Sequence, residues 1–293
     1  MNSDAFSRYH PLVNFLYFAL VLAFSMVFMH PVCLVVSLLN ATTYSIYLNR
    51  RKAVKFNLVF MLPLLLLTAL LNPLFNHAGV TILGYFRNGN PLTLESIVYG
   101  IAAAVMLVTV ISWFSCLNIV ITTDKTVYLF GRLIPAMSLI LAMALRLVPR
   151  FKAQARLIAS AQRCIGRDIK TGNIFRRARN GIKILSILVT WALENAIDTA
   201  DSMKSRGYGV PGRTAFSIYR YEKRDALLTV FLILCGAILI TGSLLKSFSF
   251  RYFPIITSIT PGVLEICIFA VYFALCATPV VINIREDRKW KAI

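Results

Sequence analysis

Residues 225–246 read DALLTVFLILCGAILITGSLLK, and no charged side chain lies between Asp225 and Lys246. A stretch of about 20 apolar residues is long enough to cross the hydrocarbon core of a bilayer as a helix. The rest of the chain has the same character, because 58% of its 293 residues are hydrophobic and only 15% are charged. Soluble domains average about half apolar and a quarter charged, so this composition predicts a membrane protein.

Other apolar segments of similar length lie on both sides of this one. The six predicted spans cover roughly 11–29, 32–49, 56–75, 96–121, 225–246 and 262–283. Only His30 and Pro31 separate the first two, so a tight turn must join them. We therefore predict an all-α, polytopic membrane protein with about six transmembrane helices.

The basic residues predict the orientation of these spans. With both chain ends on one side, that side carries 28 of the 31 Lys and Arg residues, and the other carries Arg87, Lys246 and Arg251. Cytoplasmic loops are enriched in Lys and Arg. We therefore expect both termini of this multi-pass protein to face the cytoplasm, in the cytoplasmic (inner) membrane of a bacterium.

The long segment 122–224 divides the spans into two groups. It carries 19 Lys and Arg against six acidic residues, which accounts for +13 of the net charge of +19. We predict about four N-terminal spans in 1–121, long cytoplasmic or interfacial helices in 122–224, and about two spans with a basic tail in 225–293. Basic residues that flank spans on the cytoplasmic side, and their attraction to anionic lipid, explain part of this charge. A region of about 100 residues with long helices is, however, much larger than the signal that orients spans in a membrane.

Two long helices are predicted within that segment. The first runs from about Leu133 to Gln162 or Arg163, with Pro149 in its middle, where a proline bends a helix. The second runs from about Ile182 to Ser205. Each ends with arginine close to glycine, which suits the left-handed position that closes a helix.

Small residues recur at four-residue intervals along both helices, which would let two backbones approach closely at a crossing. The rows are Ala155 and Ala159 in the first helix, and Ala192, Ala196 and Ala200 in the second. Such a crossing would present two basic helix ends to the cytoplasm, where they could dock onto two similar protein surfaces.

At these helix ends the sequence resembles the transmembrane scaffold (T component) of energy-coupling factor transporters, which import vitamins and cobalt or nickel. The family has an Arg-Phe-Ile-Pro helix that ends near Ala-Arg-Gly, and a second helix that ends in Ala-Arg-Gly. The matching stretches here are Arg146-Leu147-Val148-Pro149, Ala161-Gln162-Arg163-Cys164-Ile165-Gly166 and Ser205-Arg206-Gly207-Tyr208-Gly209.

The resemblance implies a non-catalytic subunit that docks two cytoplasmic ATPase subunits and transmits their movement to a small substrate-binding membrane subunit. It assigns ATPase docking to Ser205, Arg206 and Gly207 at the second end. At the first end Cys164 and Ile165 replace the family's alanine and arginine, Gly166 is retained, and Arg163 or Arg167 would supply the charge. Arg146 and Pro149 would form a hinge. The chain lacks the P-loop pattern Gly-x-x-x-x-Gly-Lys-[Ser/Thr], so we expect ATP and Mg²⁺ on the partners and no cofactor or metal on this chain.

Two other classes of function are considered from the residues alone. Asp198 and Asp201 share one helix face and could hold Mg²⁺ in an intramembrane enzyme that acts on prenyl diphosphates, but Lys204 and Arg206 favour ion pairing. A permease that itself carries substrate usually has ionisable groups deep in its spans, whereas Glu265 lies near the end of the last span. Aromatic residues do not alternate with the arginines, which argues against nucleic acid as a partner.

Overall fold

The computed structural model describes residues 4–85, 89–133, 135–168, 172–208, 219–245, 250–256 and 262–291. The chain forms two compact units, which we call the membrane unit (Met1–Thr122 with Tyr219–Ile293) and the inserted unit (Thr123–Ile218). The α-helices are α1 (Pro11–Val27), α2 (Pro31–Asn49), α3 (Arg51–Phe56), α4 (Leu62–Phe75), α5 (Leu94–Val120), α6 (Thr123–Leu133), α7 (Pro135–Cys164), α8 (Ile174–Ser205), α9 (Lys223–Leu244) and α10 (Val263–Lys291). A 3-10 helix (Phe6–Arg8) precedes α1, and a π-helical turn (Asn57–Met61) joins α3 to α4.

The predicted spans are all helical in the membrane unit. Within the described residues, five helical stretches are long and apolar enough to cross a membrane: Pro31–Asn49, Ala53–Phe75, Leu94–Val120, Lys223–Leu244 and Val263–Lys289. The apolar helix α1 has 17 residues, which is at the short end of the range for spans. The prediction of an all-α, multi-pass membrane protein is confirmed. The helix α7 is not among the candidate spans.

Two histidines set the starts of α1 and α2. The Nδ1 atoms of His10 and His30 each accept a hydrogen bond, at 3.3 Å, from the backbone N–H two residues later. A proline follows each histidine, and proline suits the first helical position because its missing N–H would have no partner there. This repeated start explains the break between the two helices.

A buried polar cluster lies among the aromatic side chains of the membrane unit. The hydroxyls of Ser25 and Ser37 lie 2.9 Å apart, and the Tyr272 hydroxyl lies 3.3 Å from that of Ser25. The indole N–H of Trp113 donates to Ser37 Oγ at 3.0 Å. These contacts join α1, α2, α5 and α10, and they satisfy polar groups that would be costly to bury alone.

The N-terminal segment is part of the same packing. The side-chain oxygen of Asn283 accepts hydrogen bonds from the backbone N–H groups of Ala5 (2.7 Å) and Phe6 (3.4 Å). The hydroxyl of Tyr44 donates to the carboxylate of Asp4 at 3.0 Å, and Phe6 itself is fully buried. Residues before α1 therefore connect α2 to α10.

A small antiparallel hairpin between α4 and α5 was not predicted. Its strands are Ile82–Tyr85 and Pro91–Thr93. The buried carboxylate of Glu95 accepts hydrogen bonds from the backbone N–H of Thr81 (3.1 Å) and from its hydroxyl (2.7 Å). The strands have four and three residues, which is too short for a clear alternating pattern in the sequence.

The inserted unit contains α6, α7 and α8, and both of its long helices differ from the predicted bounds. The helix α7 starts at Pro135 rather than Leu133, because α6 ends at Leu133. The helix α8 starts at Ile174, eight residues before the predicted Ile182. Its start is capped by Asn173, whose side-chain oxygen accepts the backbone N–H of Ile174 at 2.7 Å.

Candidate docking site at two helix ends

The end of α7 closes in a hydrogen-bonded turn around Gly166. The backbone N–H of Gly166 donates to the carbonyl of Arg163 at 3.0 Å, and that of Arg167 donates to the carbonyl of Gln162 at 2.9 Å. Gly166 has a φ of +74°, the left-handed conformation that glycine adopts without strain. This is the Schellman closure of a helix.

The end of α8 closes in the same way around Gly207. The N–H of Gly207 donates to the carbonyl of Lys204 at 2.9 Å, and the N–H of Tyr208 donates to the carbonyl of Met203 at 3.0 Å. Gly207 also has a φ of +74°. Ser205 and Arg206 lie in this turn, and both are exposed to solvent. Gly209 of the sequence motif lies outside the described residues.

The matching hydrogen bonds align the two helix ends residue by residue. Gly166 corresponds to Gly207, so Ile165 occupies the position of Arg206. Arg163 then corresponds to Lys204, and Arg167 to Tyr208. The backbone hydrogen bonds thus give the same correspondence of Ile165 with Arg206 as the sequence motif predicts.

Polar contacts hold the segment that follows α7. The Nε atom of Arg163 lies 3.5 Å from a carboxylate oxygen of Asp168. The side-chain amide of Asn180 in α8 donates to the backbone carbonyl of Asp168 at 3.1 Å. Asn180 is buried, so this bond fixes the start of α8 beside the end of α7. Neither Asp168 nor Asn180 belongs to a motif that the sequence reveals.

The two long helices pack through aromatic and branched side chains. The rings of Phe151 and Trp191 meet edge to face, with centroids 5.7 Å apart. The guanidinium of Arg150 lies 5.8 Å from the centroid of the Trp191 ring. Ile158 in α7 and Ile184 in α8 are both buried. The contacts of Trp191 with Phe151 and Arg150 join α7 to α8 within the inserted unit.

The predicted alanine rows differ in exposure. Ala155, Ala159 and Ala192 are half-buried, whereas Ala196 and Ala200 are exposed. Packing of Ala196 and Ala200 against α7 is therefore not found within the inserted unit, because larger side chains such as Trp191 form the contact.

The predicted hinge residues lie near the middle of α7. Pro149 is inside the helix, which continues to Cys164. Arg146 and Pro149 are both exposed. Neither observation tests a hinge, so the role of Arg146 and Pro149 as a hinge stays a prediction.

The residues proposed for a magnesium enzyme do not form a ligand set in the described part of the chain. Asp198 and Asp201 are both exposed. Among the described residues, no three His, Cys, Asp or Glu side chains are grouped closely enough to hold a metal ion.

Comparison with known proteins identifies the family. The model of the cobalt transport protein family CbiQ matches residues 6–218, which includes both helix ends. Proteins called energy-coupling factor transporter transmembrane protein EcfT are also similar. The one from Lactobacillus helveticus is 36% identical over 118 residues, which is 40% of this chain and 43% of that protein.

Two further relatives carry the same name and match at similar identity. The protein from Lactococcus lactis is 34% identical over 108 residues, covering 36% of this chain and 41% of the relative. The protein from Acidaminococcus fermentans is 31% identical over 147 residues, covering 46% of this chain and 55% of the relative. The matches thus span about half or less of these relatives, whereas the family model spans most of this chain. The chain belongs to the CbiQ family of cobalt transport proteins.

Proposed function

We propose that this chain is the transmembrane scaffold of an energy-coupling factor importer. It would link two cytoplasmic ATPase subunits to a separate, small substrate-binding membrane subunit, for uptake of a vitamin or a transition-metal ion. ATP and Mg²⁺ would bind to the ATPase subunits, and this chain would bind no cofactor. It would lie in the cytoplasmic membrane of a bacterium with both termini inside.

The observation that carries this proposal is the pair of identical helix closures at Gly166 and Gly207. Each closure holds its neighbouring side chains in solvent at the end of a helix of at least 30 residues. A rigid helix with a defined, exposed end can transmit a movement applied at that end. The family assignment and the names of the relatives support the same function.

Docking of an ATPase subunit through Arg206 is the part of this proposal that a single substitution tests most directly. An arginine that enters an acidic groove is desolvated and forms an ion pair there. Its replacement by glutamate reverses the charge and leaves the groove's carboxylates facing another negative charge. Such losses are about 2–5 kcal/mol, or roughly 30-fold to several-thousand-fold in affinity. We expect Arg206→Glu to remove most ATPase subunit binding and nearly all ATP-driven uptake.

The measurement is pull-down of purified ATPase subunits by each variant at matched membrane expression, together with uptake in vesicles. Arg156→Glu is the matched control, because it makes the same charge change on the exposed surface of α7, away from its end. Arg163→Glu and Arg167→Glu should each have smaller effects than Arg206→Glu. Undiminished binding by Arg206→Glu would overturn the docking role of this motif.

A further inference from the structure

The two helix ends have the same backbone conformation, but the side chains before and after the left-handed glycine differ in charge and polarity. Around the left-handed glycine, the α7 end reads Ile165-Gly166-Arg167, and the α8 end reads Arg206-Gly207-Tyr208. The residue before glycine is therefore apolar at the first end and cationic at the second. The residue after glycine is cationic at the first end and aromatic at the second.

The apolar residue at the first end is presented to solvent. Ile165 is 65% exposed, and Tyr208 is 50% exposed at the second end. A single exposed isoleucine is ordinary on a protein surface. Here, however, Ile165 occupies the position that carries Arg206 in the matching turn. A surface built to receive an arginine at that position would receive a branched hydrocarbon instead.

The nearby cations do not restore the missing arginine. Arg163 is three residues before the glycine, and its guanidinium lies 3.5 Å from the carboxylate of Asp168. The cationic Lys204 occupies the matching position at the second end, so Arg163 has a counterpart there already. Arg167 lies on the other side of the glycine, where the second end has Tyr208.

We propose that the α7 end inserts Ile165 into an apolar pocket, whereas the α8 end inserts Arg206 into an acidic groove. The two ATPase docking sites therefore differ in chemistry, and each end selects its own subunit surface. This inference rests on the proposed function, since it names the partner surfaces of that same site. It follows from the register of the two turns, because an acidic groove would desolvate its carboxylates against Ile165 without forming an ion pair.

The test exchanges the two residues one at a time in the full-length chain. Ile165→Arg and Arg206→Ile are purified in detergent and immobilised. The ATPase subunits expressed with this chain are then added singly, without ATP, so that they do not associate through bound nucleotide. Ile165→Leu is the conservative control at the first end, and Leu157→Arg introduces the same charge at another exposed apolar position of α7.

We expect Ile165→Arg to lower the affinity for one kind of ATPase subunit at least tenfold and to leave the affinity for the other kind within about twofold of the parent. Arg206→Ile should give the reverse pattern, and Ile165→Leu and Leu157→Arg should bind both kinds like the parent. The proposal is overturned if Ile165→Arg binds as well as or better than the parent, or if both variants weaken the same kind of subunit. If Arg206→Ile also binds every subunit normally, the proposed function fails as well.

Discussion

The carboxylate of Asp225 accepts a hydrogen bond at 3.1 Å from the backbone N–H of His10, 215 residues earlier in the chain. Its second oxygen accepts the backbone N–H of Glu222 at 3.0 Å. Asp225 is only 2% exposed. One side chain therefore closes the start of α9 and also joins it to the start of α1, beside the point where the chain re-enters the membrane unit.

Removal of this carboxylate should destabilise the membrane unit. Asp225→Ala leaves two N–H groups without their acceptor, and the loss is about 1–3 kcal/mol for the buried N–H of His10 and smaller for the part-buried N–H of Glu222. Asp225→Asn keeps one side-chain oxygen as an acceptor and should lose about half as much stability as Asp225→Ala. Thermal unfolding of the purified chain in detergent measures both. Equal melting temperatures for Asp225→Ala and the parent would contradict the role given to this residue.

Acid should destabilise the fold through His30. Burial lowers the pKa of His30 below its ordinary value of 6.5, and nearby Glu265 opposes this shift by raising it. The neutral ring is also required as a hydrogen-bond acceptor, because its Nδ1 caps α2. The stabilising contribution is therefore complete above pH 6.5 and is lost as the pH falls below that value.

The variant His30→Asn separates this effect from other titrations. Asparagine can also cap a helix, with a change in the free energy of unfolding of about 1 kcal/mol or less, and it does not titrate. We expect the melting temperature of the parent to fall more steeply than that of His30→Asn between pH 7.5 and about 5. Parallel curves for the two proteins would show that His30 has no part in acid sensitivity.

The orientation of the spans can be tested by labelling single cysteines in a background without the six native ones. The split of 28 against three basic residues predicts that Asn90 and Phe253 face outside and that Asn173 faces the cytoplasm. An impermeant thiol reagent applied to intact cells should therefore label cysteines at 90 and 253, and label position 173 only after lysis. Labelling of position 173 in intact cells would reverse the assigned topology.

Local patterns predicted the spans well because the length of an apolar run and the charges at its ends are sufficient to define a membrane helix. The predicted start of α8 at Ile182 was eight residues too late, because an apolar pattern does not show the side-chain hydrogen bonds of Asn173 and Asn180 that hold the first part of this helix.

Two features of the candidate site differ in how far the sequence predicts them. The backbone hydrogen bonds of the two turns place Ile165 at the position of Arg206, as the motif spacing predicts. The exposure of Ala196 and Ala200 follows from which face of α8 contacts α7. A row of alanines identifies a face that could pack closely, but Phe151 and Trp191 determine the face that does.

The contact between α7 and α8 gives the last prediction, because α8 offers two isoleucines in opposite environments. Ile184 is 7% exposed and Ile182 is 67% exposed. Truncation of a buried isoleucine to alanine costs about 2–5 kcal/mol, since it removes buried methyl groups and leaves a cavity. We expect Ile184→Ala to destabilise the inserted unit, and Ile182→Ala to leave its stability nearly unchanged.

Hydrogen exchange of backbone amides in α7 and α8 measures this effect within the inserted unit. A loss of about 2 kcal/mol should speed exchange roughly 30-fold in Ile184→Ala, provided that the amides exchange through separation of the two helices. The amides of α1 and α10 in the membrane unit serve as an internal reference and should exchange at the parental rate. If Ile184→Ala and Ile182→Ala exchange alike in α7 and α8, the two helices do not depend on Ile184 for their contact, and a movement applied at one helix end would have to pass through the aromatic pair of Phe151 and Trp191 instead.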